Sequence, residues 1–150
     1  CKEWTHKNWK QLSKKLYSKG YNIVALSKNG FKGINIIDRH NLPWNELFNY
    51  LYHADLFIGL GSGLSWINWA LNKHTLMINN FTEPDHEFTK NITKLQNFNV
   101  CNSCWNKKEF QFDAGDWNWC PINKGTELQH ICQKSITPDR VLEEALRLLT

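Results

Sequence analysis

Along its first 80 residues the chain switches repeatedly between two hydrophobic periods. In "THKNWKQLSKKLYSKG", residues 5–20, Trp9, Leu12 and Leu16 recur at i, i+3 and i+7. Thr5 is placed to cap the start and Gly20 to supply a left-handed residue at the end. The apolar, β-branched run "YNIVALS" follows, and beyond a loop marked by Asn29, Gly30 and Gly33 comes "INIID". Both read as buried strands. "NLPWNELFNYLYHA" returns to the helical period, with Pro43 suited to a first helical position and Trp44, Leu47, Phe48 and Leu51 forming a stripe. "DLFIGL" reads as a strand, "GLSWINWALNK" as a helix and "HTLMIN" as a strand. Strands that alternate with helices are joined by right-handed crossovers and run parallel, so the pattern predicts an α/β fold, a parallel sheet with helices on both faces. A last helix is predicted over 137–149, where Thr137 caps, Pro138 takes the first position, and Val141, Leu142, Ala145 and Leu149 form the apolar stripe.

The 150 residues suit one compact domain or one half of a larger enzyme. The net charge of +4 is spread thinly, with only short runs such as Lys14-Lys15 and Lys107-Lys108, which favours an anionic ligand over a nucleic-acid groove. No run of about 18 apolar residues would cross a membrane, and the first residues lack the apolar core of a signal peptide. The expectation is a cytoplasmic chain with no membrane and no nucleic-acid partner. Its start at Cys1 rather than Met suggests an excised piece of a longer protein. The sequons at Asn80 and Asn91 are read as chance, and His6, His40, His53, His74 and His86 are scattered without a pairing motif.

Residues 61–65, "GSGLS", fall where the strand "DLFIGL" gives way to a helix. Open parallel sheets bind ligands at the carboxyl ends of their strands, and a helix N-terminus offers free N–H groups carrying about half a positive charge. Gly61 and Gly63 allow close backbone approach, while Ser62 and Ser65 add hydroxyl donors, a combination suited to phosphate. A plain tight turn accounts for the same residues equally well. Neither a Walker A loop nor a GxGxxG fingerprint is present, and the G-x-S-x-G of a hydrolase elbow is absent. Glu83 follows the strand "HTLMIN" on the same edge, where its carboxylate could meet a ribose or sugar hydroxyl; a solvated loop is the equal alternative.

After "NNFTEPDHEF" the alternation breaks into a polar, aromatic loop of about 40 residues, too long for an ordinary connection. Cys101-x2-Cys104 forms a knuckle, Cys120 follows after 15 residues and Cys132 after another 11. Four thiolates in a loop without its own core can close a tetrahedral site for zinc or rubredoxin-like iron, and spacing does not choose between them. Disulfides are the main alternative, disfavoured in a reducing compartment. His130 could replace one cysteine, and Trp105, Trp117 and Trp119 are expected to pack around the metal as a miniature core.

Together these residues resemble a known family. "CKEWTHKNWKQLSKKL" followed further on by "ADLFIGLGSGLSWINWALNKHTLMINNFTEP" is similar to the C-terminal, donor-binding half of ADP-heptose-dependent glycosyltransferases. The resemblance implies a Rossmann-like domain, the C-terminal half of a GT-B enzyme, spanning residues 1–150, with the N-terminal acceptor domain absent. It makes Lys2, which precedes the Trp4-x4-Trp9 helix start, the phosphate lysine, and Ser62, Gly63, Leu64 and Ser65 the diphosphate turn. Gly61 stands where many members have Asp, and Trp66 where they have His. Residues 99–136 are similar to the cysteine finger of bacterial autotransporter heptosyltransferases, which implies a structural iron on Cys101, Cys104, Cys120 and Cys132, with zinc the alternative. The implied reaction moves heptose from ADP-heptose to Ser or Thr hydroxyls of an autotransporter protein. No catalytic residue falls within this chain, which alone should bind donor and transfer little. Ring-like homo-oligomers are implied as well.

Two other readings compete. The same fold could serve another nucleotide sugar. Alternatively the chain is a metal-stapled binding module for protein or nucleic acid, although Lys107, Lys108 and Lys124 are balanced by Glu109, Asp113, Asp116 and Glu127, which weakens attraction to a phosphate backbone.

Overall fold

The computed structural model describes residues 3–33 and 35–150, so Lys2 lies outside the described residues. Helix α1 (His6–Ser18) starts where Thr5 accepts the Asn8 N–H on its side chain, and buries Leu12 and Leu16. Gly20, at φ +93°, makes the left-handed turn that lets the chain double back within a few residues into β1 (Ile23–Ala25). Strand β2 (Ile36–Asp38) pairs with β1 in parallel, Ile23 opposite Ile36. After α2 (Trp44–His53) comes β3 (Phe57–Gly59), then α3 (Gly63–Ala70) and β4 (Thr75–Ile78). A further strand, β5 (Ile92–Leu95), completes a second parallel sheet in the order β3-β4-β5. A 3₁₀ turn (Cys104–Asn106), the short α4 (Ile131–Lys134) and α5 (Pro138–Leu149) finish the chain.

Strand β4 shows why helices flank the sheet. All four of its residues are buried, although successive side chains point to opposite faces. Leu76 and Ile78 join Leu12 and Leu16 of α1 and Val141 and Ala145 of α5 in the main core. On the other face Thr75 accepts a hydrogen bond from the Asn68 amide of α3. Trp4 anchors the entry to α1, its indole N–H donating to the Ile136 carbonyl over 2.8 Å just ahead of α5. Thr137 caps α5 by accepting the Arg140 N–H, as expected.

Two expectations need correcting. Strand β5 lies in a stretch read as loop; its four residues include Thr93 and Lys94, too few and too polar to show an apolar run. Pro43 is the residue before α2 rather than its first turn. The helix expected over α2 is present; along its stripe Leu51 is buried while Trp44 and Phe48 stand exposed.

Candidate functional site

The turn at residues 61–65 sits, as its sequence suggests, between the end of β3 and the start of α3, with Ser62 as the residue preceding the helix. Ser62 is extended (φ −147°, ψ 175°), and its side chain makes no capping bond, so the hydroxyl is available to a ligand. Its carbonyl accepts the Ser65 and Trp66 N–H groups, leaving those of Gly63 and Leu64 without intrahelical acceptors at the positive end of the helix. A Cβ on Gly63 would meet nothing within 4 Å, so its face is open. Ser65 behaves differently from the expectation. It is fully buried and its hydroxyl donates to the Leu60 carbonyl, locking the turn from inside rather than facing an anion.

Gly61 is required for another reason: a Cβ there would lie 2.8 Å from Glu87 Oε1 and 2.9 Å from Asn79 Nδ2. Those atoms belong to a buried polar network at the carboxyl end of β4. Asn79 Nδ2 donates to Glu87 Oε1 (2.8 Å) and Thr82 Oγ1 (2.6 Å), and the Thr82 hydroxyl donates to Glu87. Lys94 of β5 closes it with an ion pair to Glu87 and a 2.8 Å bond to the Glu83 carbonyl; the two charged side chains are only 7% and 6% exposed. The carboxylate beside the turn is therefore Glu87. Glu83 is exposed, and its backbone rather than its side chain joins the network. Glu87 escaped the sequence reading because it lies 26 residues from Gly61 in an undistinguished loop. Trp66, one turn into α3, rests edge-on against Phe88 with ring centroids 5.2 Å apart.

The cysteine segment docks on the same end of the sheet. Asn80, fully buried, donates from Nδ2 to the Asn97 and Cys132 carbonyls (3.0 Å each) and accepts the Asn97 N–H on Oδ1 (2.7 Å). Its own carbonyl takes the Ser103 N–H, and that of Phe81 the Trp105 N–H. Phe81, Cys104 and Trp119 form a second small core, extended by Phe110. Phe112 bridges Trp105 and Trp119 with centroids 4.6 and 5.1 Å away. The miniature core thus exists, but Trp117 is 87% exposed rather than buried in it. Burial of Asn80 also removes that sequon from any modifying enzyme.

All four finger cysteines are free thiols, with Cys104 and Cys120 buried. Burial and then the neighbouring Cys101 push the Cys104 thiol up, and the same causes push Cys132 up to about 11, with Cys104 and Cys120 adding to it. A cation bound at these two thiols would reverse the effect. The Nε2 of His130 is buried there without a hydrogen-bond partner. Among the described residues, no three His, Cys, Asp or Glu side chains are closed into a coordination group. Thiolates as a class are ligands for iron and zinc, but these four are not arranged as a coordination group among the described residues.

A separate cavity of about 880 Å³ opens between β1 and β3. It reaches the turn only at Ser62 and Leu64 and is otherwise bounded largely by apolar strand and helix residues. Among the described residues no helix is long and apolar enough to cross a membrane.

Residues 1–115 match glycosyltransferase family 9 (heptosyltransferase). The autotransporter heptosyltransferase Aah of Escherichia coli is 34% identical over 155 residues, covering 94% of this chain and 39% of that protein. BimC of Burkholderia thailandensis, described as an inactive autotransporter heptosyltransferase, is 29% identical, covering 94% and 36%. In three dimensions the chain is similar to TibC, a dodecameric iron-containing heptosyltransferase solved with ADP-D-β-D-heptose, from enterotoxigenic E. coli. The TM-score is 0.86 at 31% identity, over 98% of this chain and 42% of that one. The chain thus spans well under half the length of these relatives. By its match over residues 1–115, and by a parallel α/β architecture that superimposes on a solved heptosyltransferase, the chain belongs to glycosyltransferase family 9.

Proposed function

We propose that this chain is the donor-binding half of a glycosyltransferase that moves heptose from ADP-heptose to Ser or Thr hydroxyls of an autotransporter protein. The observation that carries the reading is the turn at residues 62–64, open to solvent, with an uncommitted serine hydroxyl and two unpaired N–H groups at the start of α3. Such a group suits the diphosphate, whose negative charge grows as the bond to the sugar breaks. Fixed N–H dipoles stabilise that charge without reorganising. The Glu87–Lys94 pair and Asn79 hold the floor of the turn through the space that Gly61 leaves free. Lys2 remains a candidate second phosphate contact. The acceptor and the base that activates it are assigned to the other half of a GT-B enzyme, so the chain binds donor and does not itself complete the transfer.

Cys101, Cys104, Cys120 and Cys132 would hold a structural iron, as the iron-containing relative suggests. Bound there, the ion supplies a cross-link among the segments around Cys101, Cys120 and Cys132; four thiolates leave no open position for chemistry. Asn80 and the Phe81–Trp119 cluster then fix that unit to the carboxyl edge of the sheet beside the donor turn. A cytoplasmic location and assembly into a ring complete the proposal. A relative described as inactive belongs to the same group, so donor binding is the property to test first. Calorimetric titration of the metal-loaded chain with ADP-heptose, ADP and UDP-glucose should give saturable binding that prefers the adenine ligands. No binding, or a preference for UDP-glucose, would overturn the assignment.

A further inference from the structure

We infer that the Glu87 carboxylate serves as the side chain of position 61, a positioning group that sets the donor turn from beneath and is kept for ligand affinity rather than for folding. This rests on the donor reading of residues 62–64 and deepens it. The geometry of Gly61 carries the inference. A Cβ built there would lie 2.8 Å from Glu87 Oε1 and 2.9 Å from Asn79 Nδ2. By ordinary bond lengths an aspartate carries its carboxylate oxygens about 2.4 Å from its own Cβ. From a separate segment of the chain, Glu87 thus brings an oxygen to nearly the distance at which an aspartate at 61 would hold one.

The two oxygens have different tasks. Oε1 faces the turn and accepts the Asn79 amide (2.8 Å) and the Thr82 hydroxyl (2.9 Å). Oε2 takes the Lys94 ammonium, which also donates to the Glu83 carbonyl. With its Nδ2 committed to Glu87, Asn79 turns its Oδ1 to the Phe81 N–H, 2.9 Å away. One carboxylate therefore fixes the orientation of the amide packed beneath Gly61. Gly61 leads directly into Ser62, whose hydroxyl forms the anion site with the N–H groups of Gly63 and Leu64, so the floor sets where those donors point.

Folding does not call for a charge here. A buried ion pair costs the desolvation of both partners, and apolar side chains of similar volume serve stability as well or better. Both charged side chains are nonetheless almost wholly buried, directly under the turn. A charged pair kept at that point has its use in the donors above it, where a small displacement weakens every contact to a bound diphosphate.

The test compares four versions of the metal-loaded chain: the parent, Glu87→Met with Lys94→Met, Glu87→Ala, and Gly61→Asp with Glu87→Ala. Each is titrated calorimetrically with ADP and ADP-heptose, and its free form is followed by amide NMR. The two-methionine version should melt within about 3 °C of the parent. It should nevertheless bind ADP and ADP-heptose about tenfold more weakly, by the same factor for each. Glu87→Ala should be weak as well, and adding Gly61→Asp should restore affinity to within about threefold by returning a carboxylate to the same place. The Ser62, Gly63 and Leu64 amide resonances of the free chain should shift in the weak versions and return in the restored one. Should the restored version fail to fold, Glu87→Asp replaces it: the shortened side chain keeps the charge, withdraws the oxygen from the turn, and should bind as weakly as Glu87→Ala. Full affinity in the two-methionine or Glu87→Asp version would overturn the inference, and so would a Gly61→Asp version no better than Glu87→Ala alone. A loss confined to ADP-heptose would also overturn it, since the carboxylate would then touch the sugar itself. If the parent binds neither ligand, the donor reading fails and the free-chain resonances decide the inference alone: unmoved 62–64 amides in the two-methionine version would overturn it.

Discussion

Replacing Asn80 with alanine tests whether the cysteine finger is fastened to the sheet through one side chain. Asn80 is fully buried and makes three side-chain hydrogen bonds, two donated to the carbonyls of Asn97 and Cys132 and one accepted from the Asn97 N–H. Alanine removes all three and leaves three partly buried backbone groups without those partners. At about 1 kcal/mol for each, the loss should be about 3 kcal/mol. For a domain of this size, with a urea slope of about 1.5 kcal/mol/M, the midpoint should fall by about 2 M. Proteolysis should show where the energy goes, with cleavage appearing first within 99–136. Asn80→Asp, which keeps the acceptor but loses both donors, should recover only a minor part. A loss below about 1 kcal/mol with an unchanged cleavage pattern would refute the reasoning and mean that the aromatic cluster alone holds the finger down.

Other perturbations address the turn, its floor, the metal and pH. Gly63→Ala should leave the melting temperature within a degree or two, because its Cβ meets open space, yet weaken ADP-heptose binding in calorimetry; equal affinity would mean the ligand does not approach that face. Lys94→Met strands the Glu87 carboxylate in a buried site and should cost about 3–5 kcal/mol in urea denaturation, while the double change with Glu87→Gln should restore most of it. If the double variant is no better than the single, the pair is not the interaction that matters. Cys104→Ser should abolish iron by elemental analysis and loosen 99–136 to protease; full iron content would take Cys104 out of the ligand set. Burial first, and then the Arg147 charge, hold the His74 imidazole below its ordinary 6.5. The unfolded chain takes up that proton first as pH falls, so stability is full above 6.5 and declines below it. His74→Gln should flatten this decline, and an unaltered profile would exonerate His74.

Much of the scaffold was legible because helical and strand periods alternate cleanly in residues 5–80. Thr5, Gly20 and Thr137 act where their chemistry suggested. What escaped depends on contacts between segments distant in sequence. Strand β5 exists because β4 offers it an edge, a fact that Ile92-Thr93-Lys94-Leu95 do not announce. Glu87 becomes part of the turn's floor only because Lys94, Asn79 and Thr82 converge on it. Ser65 looked equivalent to Ser62, but its helix position turns it inward to the Leu60 carbonyl. Trp117 looked like Trp119, two residues away, and by the same logic of facing it points to solvent. The exposed aromatics of α2 carry a helical period without being core, since a period identifies a face and not what covers it.

The most direct measurement of the donor reading is backbone amide NMR of the metal-loaded chain titrated with ADP-heptose. The account predicts the largest shifts at Ser62, Gly63 and Leu64, with saturation and smaller responses at Asn79 and Glu87 beneath the turn. Shifts concentrated instead along residues 23–27 and 57–60, with the turn unmoved, would place the nucleotide between the sheets and contradict it.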